Sequence, residues 1–132
     1  MTDKEALFLY RIKQSEETIL EAKKMLEGGF NPRTIVNRAY YSLFYAVLAL
    51  FIKTGVNIKT SKHIGVISLF DKEFVLTNKI DKHYSKIFHK IFNIRQRSDY
   101  KEFVELSAKD ATEFVNLASE SLSGIKNFLQ KL

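Results

Sequence analysis

A chain of 132 residues, 45% hydrophobic, 13% aromatic and 27% charged, fits one domain of ordinary size and is too apolar to stay disordered. It has no cysteine, which excludes a disulfide scaffold, a cysteine-ligated zinc or iron–sulfur centre and a thiol nucleophile. The net charge of +6 is unevenly placed: residues 31–100 carry twelve basic side chains against four acidic ones, while residues 1–30 and 101–132 each stand at −1. That basic middle suits a phosphate-facing surface, an acidic partner, or plain lysine solvation of a small domain.

Met1–Tyr10 contains Asp3, Lys4 and Glu5 instead of the apolar core of a signal peptide, so a cytoplasmic protein with no membrane contact is expected. Thr2 followed by Glu5 has capping-box spacing and opens a first helix. Its stripe is Phe8, Ile12, Ile19, Ala22 and Leu26, and Gly28-Gly29 stops it. Asn31-Pro32 restarts the chain as cap and first helical residue. A second helix from about Pro32 to Lys53 follows, in which Ala39–Ile52 is apolar or aromatic at every position but Ser42. Those fourteen residues fall short of the ~20 that a bilayer requires, so this helix is expected at the centre of a bundle.

Ser61 is the expected cap of a third helix through Ile64, Ile67, Phe70 and Phe74. The fourth covers roughly Asp81 to Arg97 after a link at Asn78–Asp81. Ser107 and Asp110 then cap a last helix with a stripe of Ala111, Phe114, Ala118, Leu122, Ile125 and Leu129. No segment alternates with period two. The chain therefore reads as one all-α domain over residues 1–132, a bundle of about five helices.

On a wheel of the fourth helix at ~100° per residue with Tyr84 at zero, Ile87, Phe88 and Ile91 define the buried stripe. Lys82, Lys86, Lys90 and Arg97 fall on the opposite face, which is the ordinary wet side of an amphipathic helix. Arg95 falls at about 20°, in the middle of the apolar stripe. An arginine there is costly unless it is paired, at an interface, or lining a polar cleft. Two readings stay open. Arg95 and Asp99, one turn apart, form a structural pair at the helix end, or the guanidinium is held in a cleft for phosphate and for charge developing in phosphodiester cleavage.

The central helix has a second anomaly, a strip of Arg38, Tyr41, Ser42 and Tyr45 on an otherwise apolar element. There is no glycine-rich phosphate loop of the Walker or Rossmann type and no nucleophile-elbow serine. His63, His83 and His89 lack metal-ligand spacing, so no metal and no cofactor is expected.

Asn37-Arg38-Ala39-Tyr40-Tyr41-Ser42-Leu43-Phe44, Ser61-Lys62-His63 with Val66 and Phe70, and Arg95-Gln96-Arg97-Ser98-Asp99-Tyr100 stand in the order of three signature segments of HEPN-domain proteins, which this chain resembles over about residues 35–120. The resemblance implies an up-and-down helical bundle that homodimerises. It implies a toxin–antitoxin context with a minimal nucleotidyltransferase as partner, and RNA or nucleotide as ligand. Active toxins of the family are metal-independent endoribonucleases whose arginine, polar residue and following histidine meet across the dimer.

Carried over, Arg95 is the family arginine and Gln96 its polar neighbour. Asp99 and Tyr100 stand where the histidine would follow, and no histidine occurs after His89. The expected catalytic set is therefore Arg95, Asp99 and Tyr100, with His63 as the substitute acid or base, and the expected binding set is Arg38, Tyr41 and Arg97. The alternative is a non-catalytic module that binds the nucleotidyltransferase, with Arg95–Asp99 structural.

Overall fold

Five α-helices succeed one another: α1 (Asp3–Glu27), α2 (Pro32–Thr54), α3 (His63–Phe70), α4 (Lys82–Tyr100) and α5 (Ala108–Gln130). A π-helical turn over Asp71–Val75 prolongs α3. The computed structural model describes residues 1–59, 62–100 and 105–132, without the side chains of Asp99 and Tyr100, and no described residue lies in a strand. The all-α bundle expected from the hydrophobic periodicity is the fold that forms.

Local chemistry sets the ends of the elements. Thr2 Oγ1 accepts from the Glu5 amide at 3.1 Å while Glu5 Oε2 accepts from the Thr2 amide at 3.4 Å. Ser107 and Asp110 repeat this box at α5, at 3.1 and 2.9 Å. Each cap stabilises its helix by about 1 kcal/mol. Asn31 Oδ1 accepts from the Arg33 amide at 2.9 Å, and Gly55, at φ +77°, takes the left-handed turn that closes α2. Ser61, the expected cap of α3, lies outside the described residues; the helix begins at His63, with Lys62 preceding it and no side-chain cap.

The second helix is the centre of the bundle. None of its residues from Ala39 to Ile52 is exposed, and α1, α4 and α5 all pack on it. It is longer than its apolar run suggested: 23 residues, long and apolar enough by composition to cross a membrane. Its apolar stretch is 61% buried against the other helices, which is how the core helix of a bundle satisfies the same composition. The first helix runs antiparallel to it, because the contacts Glu21–Arg38, Arg11–Tyr45 and Phe8–Lys53 step in opposite directions along the two.

Two polar residues complete the buried face of α1. Ser15 Oγ donates to the Ile12 carbonyl and Thr18 Oγ1 to the Gln14 carbonyl, both at 2.7 Å, so neither hydroxyl is stranded where α1 is covered. Across the bundle the Tyr84 ring of α4 lies over Gly124 of α5. A β-carbon at that position would stand 2.5 Å from the ring, which explains a glycine inside a helix.

The fourth helix buries Ile87, Phe88 and Ile91 and exposes Lys82, Lys86 and Lys90, as its wheel requires. It continues one turn beyond the expected end at Arg97. The polar tail is anchored rather than frayed: Ser98 is buried, its hydroxyl donates to the Arg95 carbonyl at 3.1 Å, and its own carbonyl accepts from Arg33 Nη1 at 3.5 Å.

Candidate functional site

Where α2, α3 and α4 meet, a cleft of about 700 Å³ opens, lined by Tyr41, Lys62, His63, Ile64, Phe92, Asn93, Arg95 and Gln96. Arg95 reaches it from the apolar stripe of α4. Its Nη2 donates to the Tyr41 hydroxyl at 3.2 Å, and its guanidinium carbon lies 5.1 Å from the Tyr40 ring centre and 5.2 Å from that of Tyr41. The position that looks anomalous on a wheel is thus a cation laid against two aromatic rings, an attractive arrangement for the flat guanidinium.

Tyr41 is shared by two arginines. Arg38 lies 5.5 Å from the same ring and pairs with Glu21 at 3.5 Å. Tyr40 is fully buried, and its hydroxyl stands 2.9 Å from His63 Nδ1. His63 also stacks on Phe44 with ring centres 4.3 Å apart.

Burial pushes the Tyr40 hydroxyl far above the usual phenol range, only partly offset by Arg95, so it is a neutral phenol at any physiological pH. Burial, and then the positive charge of Arg95, hold His63 below its ordinary 6.5, so its imidazole is neutral near pH 7. Nδ1 is engaged by Tyr40 in either tautomer. Nε2 is therefore the nitrogen left for chemistry, as acceptor when Nδ1 carries the proton and as donor when the phenol donates to Nδ1.

Of the expected site residues, the structure gathers Arg95, Tyr41 and His63 at one cleft, with Arg38 behind Tyr41. Arg97 is exposed and does not line it. Asp99 and Tyr100 belong to the last turn of α4, and their side chains, with any Arg95–Asp99 pairing, lie outside the described residues. Ser42 does not join the polar strip of α2, because it is buried and its hydroxyl donates to the Ala39 carbonyl at 2.7 Å.

Sequence reasoning passed over Tyr40 and Phe44 as core aromatics; both shape the surroundings of His63. The adjacent pair Tyr40-Tyr41 was the available signal. Consecutive residues on a helix diverge by ~100°, so one ring can be buried while its neighbour faces the opening. The other histidines are engaged elsewhere: His83 Nε2 is 2.7 Å from Glu120 on α5, and His89 Nε2 is 2.6 Å from Asp71 on the π-turn. No group of three metal-ligating side chains converges among the described residues.

Comparison with known proteins agrees with this architecture. The HEPN domain model matches residues 8–127. A UPF0332 protein of Thermotoga maritima is 34% identical over 132 residues, covering 100% of this chain and 98% of the relative. Two Methanocaldococcus jannaschii proteins bear the names "Putative toxin MJ0142" and "Putative toxin MJ0605"; they are 32% and 33% identical, over 89% and 86% of this chain and 82% and 87% of their own lengths. The chain belongs to the HEPN domain family.

Proposed function

We propose that this protein is a cytoplasmic, toxin-type HEPN protein that binds RNA at the Arg95 cleft and cleaves it without a metal ion, two copies pairing so that their clefts adjoin. The observation that carries this reading is that Arg95 and His63, from different helices, line one cleft around Tyr41. Cleavage by the neighbouring ribose hydroxyl needs three things: a base to take its proton, positive charge for the developing phosphorane, and an acid for the leaving oxygen. Neutral His63 offers Nε2 as the base when Nδ1–H donates to the Tyr40 oxygen, and the leaving 5′ oxygen takes its proton from solvent water. The Arg95 guanidinium offers fixed charge that is already oriented by two rings and a hydroxyl.

The toxin-type reading also draws on the names of the Methanocaldococcus relatives. The test is RNA cleavage in EDTA by the purified protein and by Arg95→Ala. Loss of cleavage on the order of a hundredfold or more, with helical content kept, is expected. Undiminished cleavage by the variant overturns the role of Arg95.

A second reading is favoured by one feature of the sequence, the lack of any histidine after His89. On it, the protein is a non-catalytic partner of a minimal nucleotidyltransferase and Arg95 is a structural residue. Co-purification of the two proteins, together with no cleavage at micromolar concentration, selects that reading over the first.

A further inference from the structure

The cleft does not end at Tyr41. The Tyr45 ring lies 5.8 Å from that of Tyr41, one turn further along α2. The Arg11 guanidinium of α1 lies 5.8 Å from the Tyr45 ring and 5.8 Å from the Tyr10 ring. Arg11 Nη1 donates to Gln14 Oε1 at 2.8 Å, which fixes the plane of the guanidinium. Cations and rings thus follow one another across the surface: Arg95 on α4, the neighbouring rings Tyr41 and Tyr45 on α2, then Arg11 and Tyr10 on α1. The inner rings are half-buried, and Tyr10 is 57% exposed.

Helix packing alone does not call for this composition. Ile19 and Ala22 of α1 and Ala39, Leu43 and Ala46 of α2 are already buried in the core. Aromatic faces interleaved with arginines are what an unpaired nucleic-acid strand uses: each base has a face to stack, and each phosphate needs a positive neighbour. Such stacking tolerates any sequence.

We propose that this file is a track for single-stranded RNA leading out of the Arg95 cleft, with bases stacking on Tyr45 and Tyr10 and Arg11 neutralising the backbone between them. The proposal rests on the RNA-binding reading of the cleft and extends it to a substrate class, unpaired RNA several nucleotides long. A base laid against one of these rings has left the stack of a duplex, so the strand along the track is unpaired. Glu21, paired with Arg38 at 3.5 Å, is an acidic group beside Tyr41 that opposes the strand there.

The test compares two uncleavable 2′-O-methyl oligoadenylates, a dinucleotide and one of about ten nucleotides, by fluorescence anisotropy at fixed salt. The longer probe binds wild type on the order of tenfold or more tightly than the dinucleotide. Arg11→Gln and Tyr45→Leu lose that gain while keeping the dinucleotide affinity; Tyr45→Phe, which retains the ring, keeps both. A duplex of the same length shows no gain.

Equal binding of the two probes to wild type overturns the track, as does a length gain that persists in both Arg11→Gln and Tyr45→Leu. If the dinucleotide then still depends on Arg95, the cleft stands without the track. If the long probe depends on Arg11 and Tyr45 but not on Arg95, the track stands and the cleft reading fails. Absence of binding by either probe removes both.

Discussion

Two histidines on neighbouring helices are each held by an oxygen of another element, and their surroundings give them different work. His63 meets a buried phenol at 2.9 Å, lies against Phe44, and feels the charge of Arg95. His89 meets a carboxylate oxygen of Asp71 at 2.6 Å, half in solvent, and the other oxygen of Asp71 accepts from Ser85 at 2.6 Å. A phenol in an aromatic pocket leaves a neutral imidazole beside an open cleft. A carboxylate on the π-turn ties that turn to α4 twice over. The first arrangement suits proton transfer, and the second is a latch.

The largest expected effect separates them by function. Arg95→Ala lowers RNA cleavage on the order of a hundredfold or more while the bundle stays folded, whereas Asp71→Ala leaves cleavage at its wild-type rate. Stability reads the reverse. Asp71→Ala removes two hydrogen bonds, from Ser85 and His89, each contributing about 0.5–1.5 kcal/mol, a loss read in urea unfolding. Cleavage lost equally in both variants would mean that the latch positions the cleft, and the division drawn here would fail.

That division shows which parts of the molecule were legible from residues alone. Helix ends were readable at Thr2–Glu5 and Ser107–Asp110, because a capping box is local chemistry three residues apart. Arg95 was readable as a misfit because a helical wheel needs only one helix. What it faces was not, since Tyr40, Tyr41 and His63 reach it from 55, 54 and 32 positions away along the chain. Here only packing decides which faces meet. The anchored end of α4 was hidden for the same reason: Ser98 looks like a surface residue until Arg33 is seen to hold its carbonyl. Asp71, one of several acids in sequence, becomes distinctive through the π-turn that aims it at Ser85 and His89.

A smaller effect tests the environment of His63 through pH. Its folded pKa lies below the unfolded 6.5, so between those values the unfolded chain binds more protons. The stability it contributes is complete above 6.5 and is lost as pH falls through the folded pKa. His63→Gln removes that slope from unfolding curves taken on the acid side, leaving curves near pH 8 parallel to wild type. For catalysis, a neutral base that persists to lower pH moves the acid limb of cleavage below 6.5. An acid limb above 6.5 would rule out neutral His63 as the base.

The smallest effect belongs to the third histidine. His83 and Glu120 join α4 to α5 at 2.7 Å, but their side chains are 52% and 49% exposed. Water screens such a pair, and ordering two side chains offsets much of what remains, so His83→Gln changes unfolding free energy by less than about 0.5 kcal/mol. Added salt reduces the difference further. This variant is the control for Asp71→Ala, because both remove a short histidine–carboxylate contact from α4. If His83→Gln costs as much as Asp71→Ala, contact length rather than burial and the second hydrogen bond from Ser85 sets the strength of the latch. The π-turn would then hold no special place in the stability of α4.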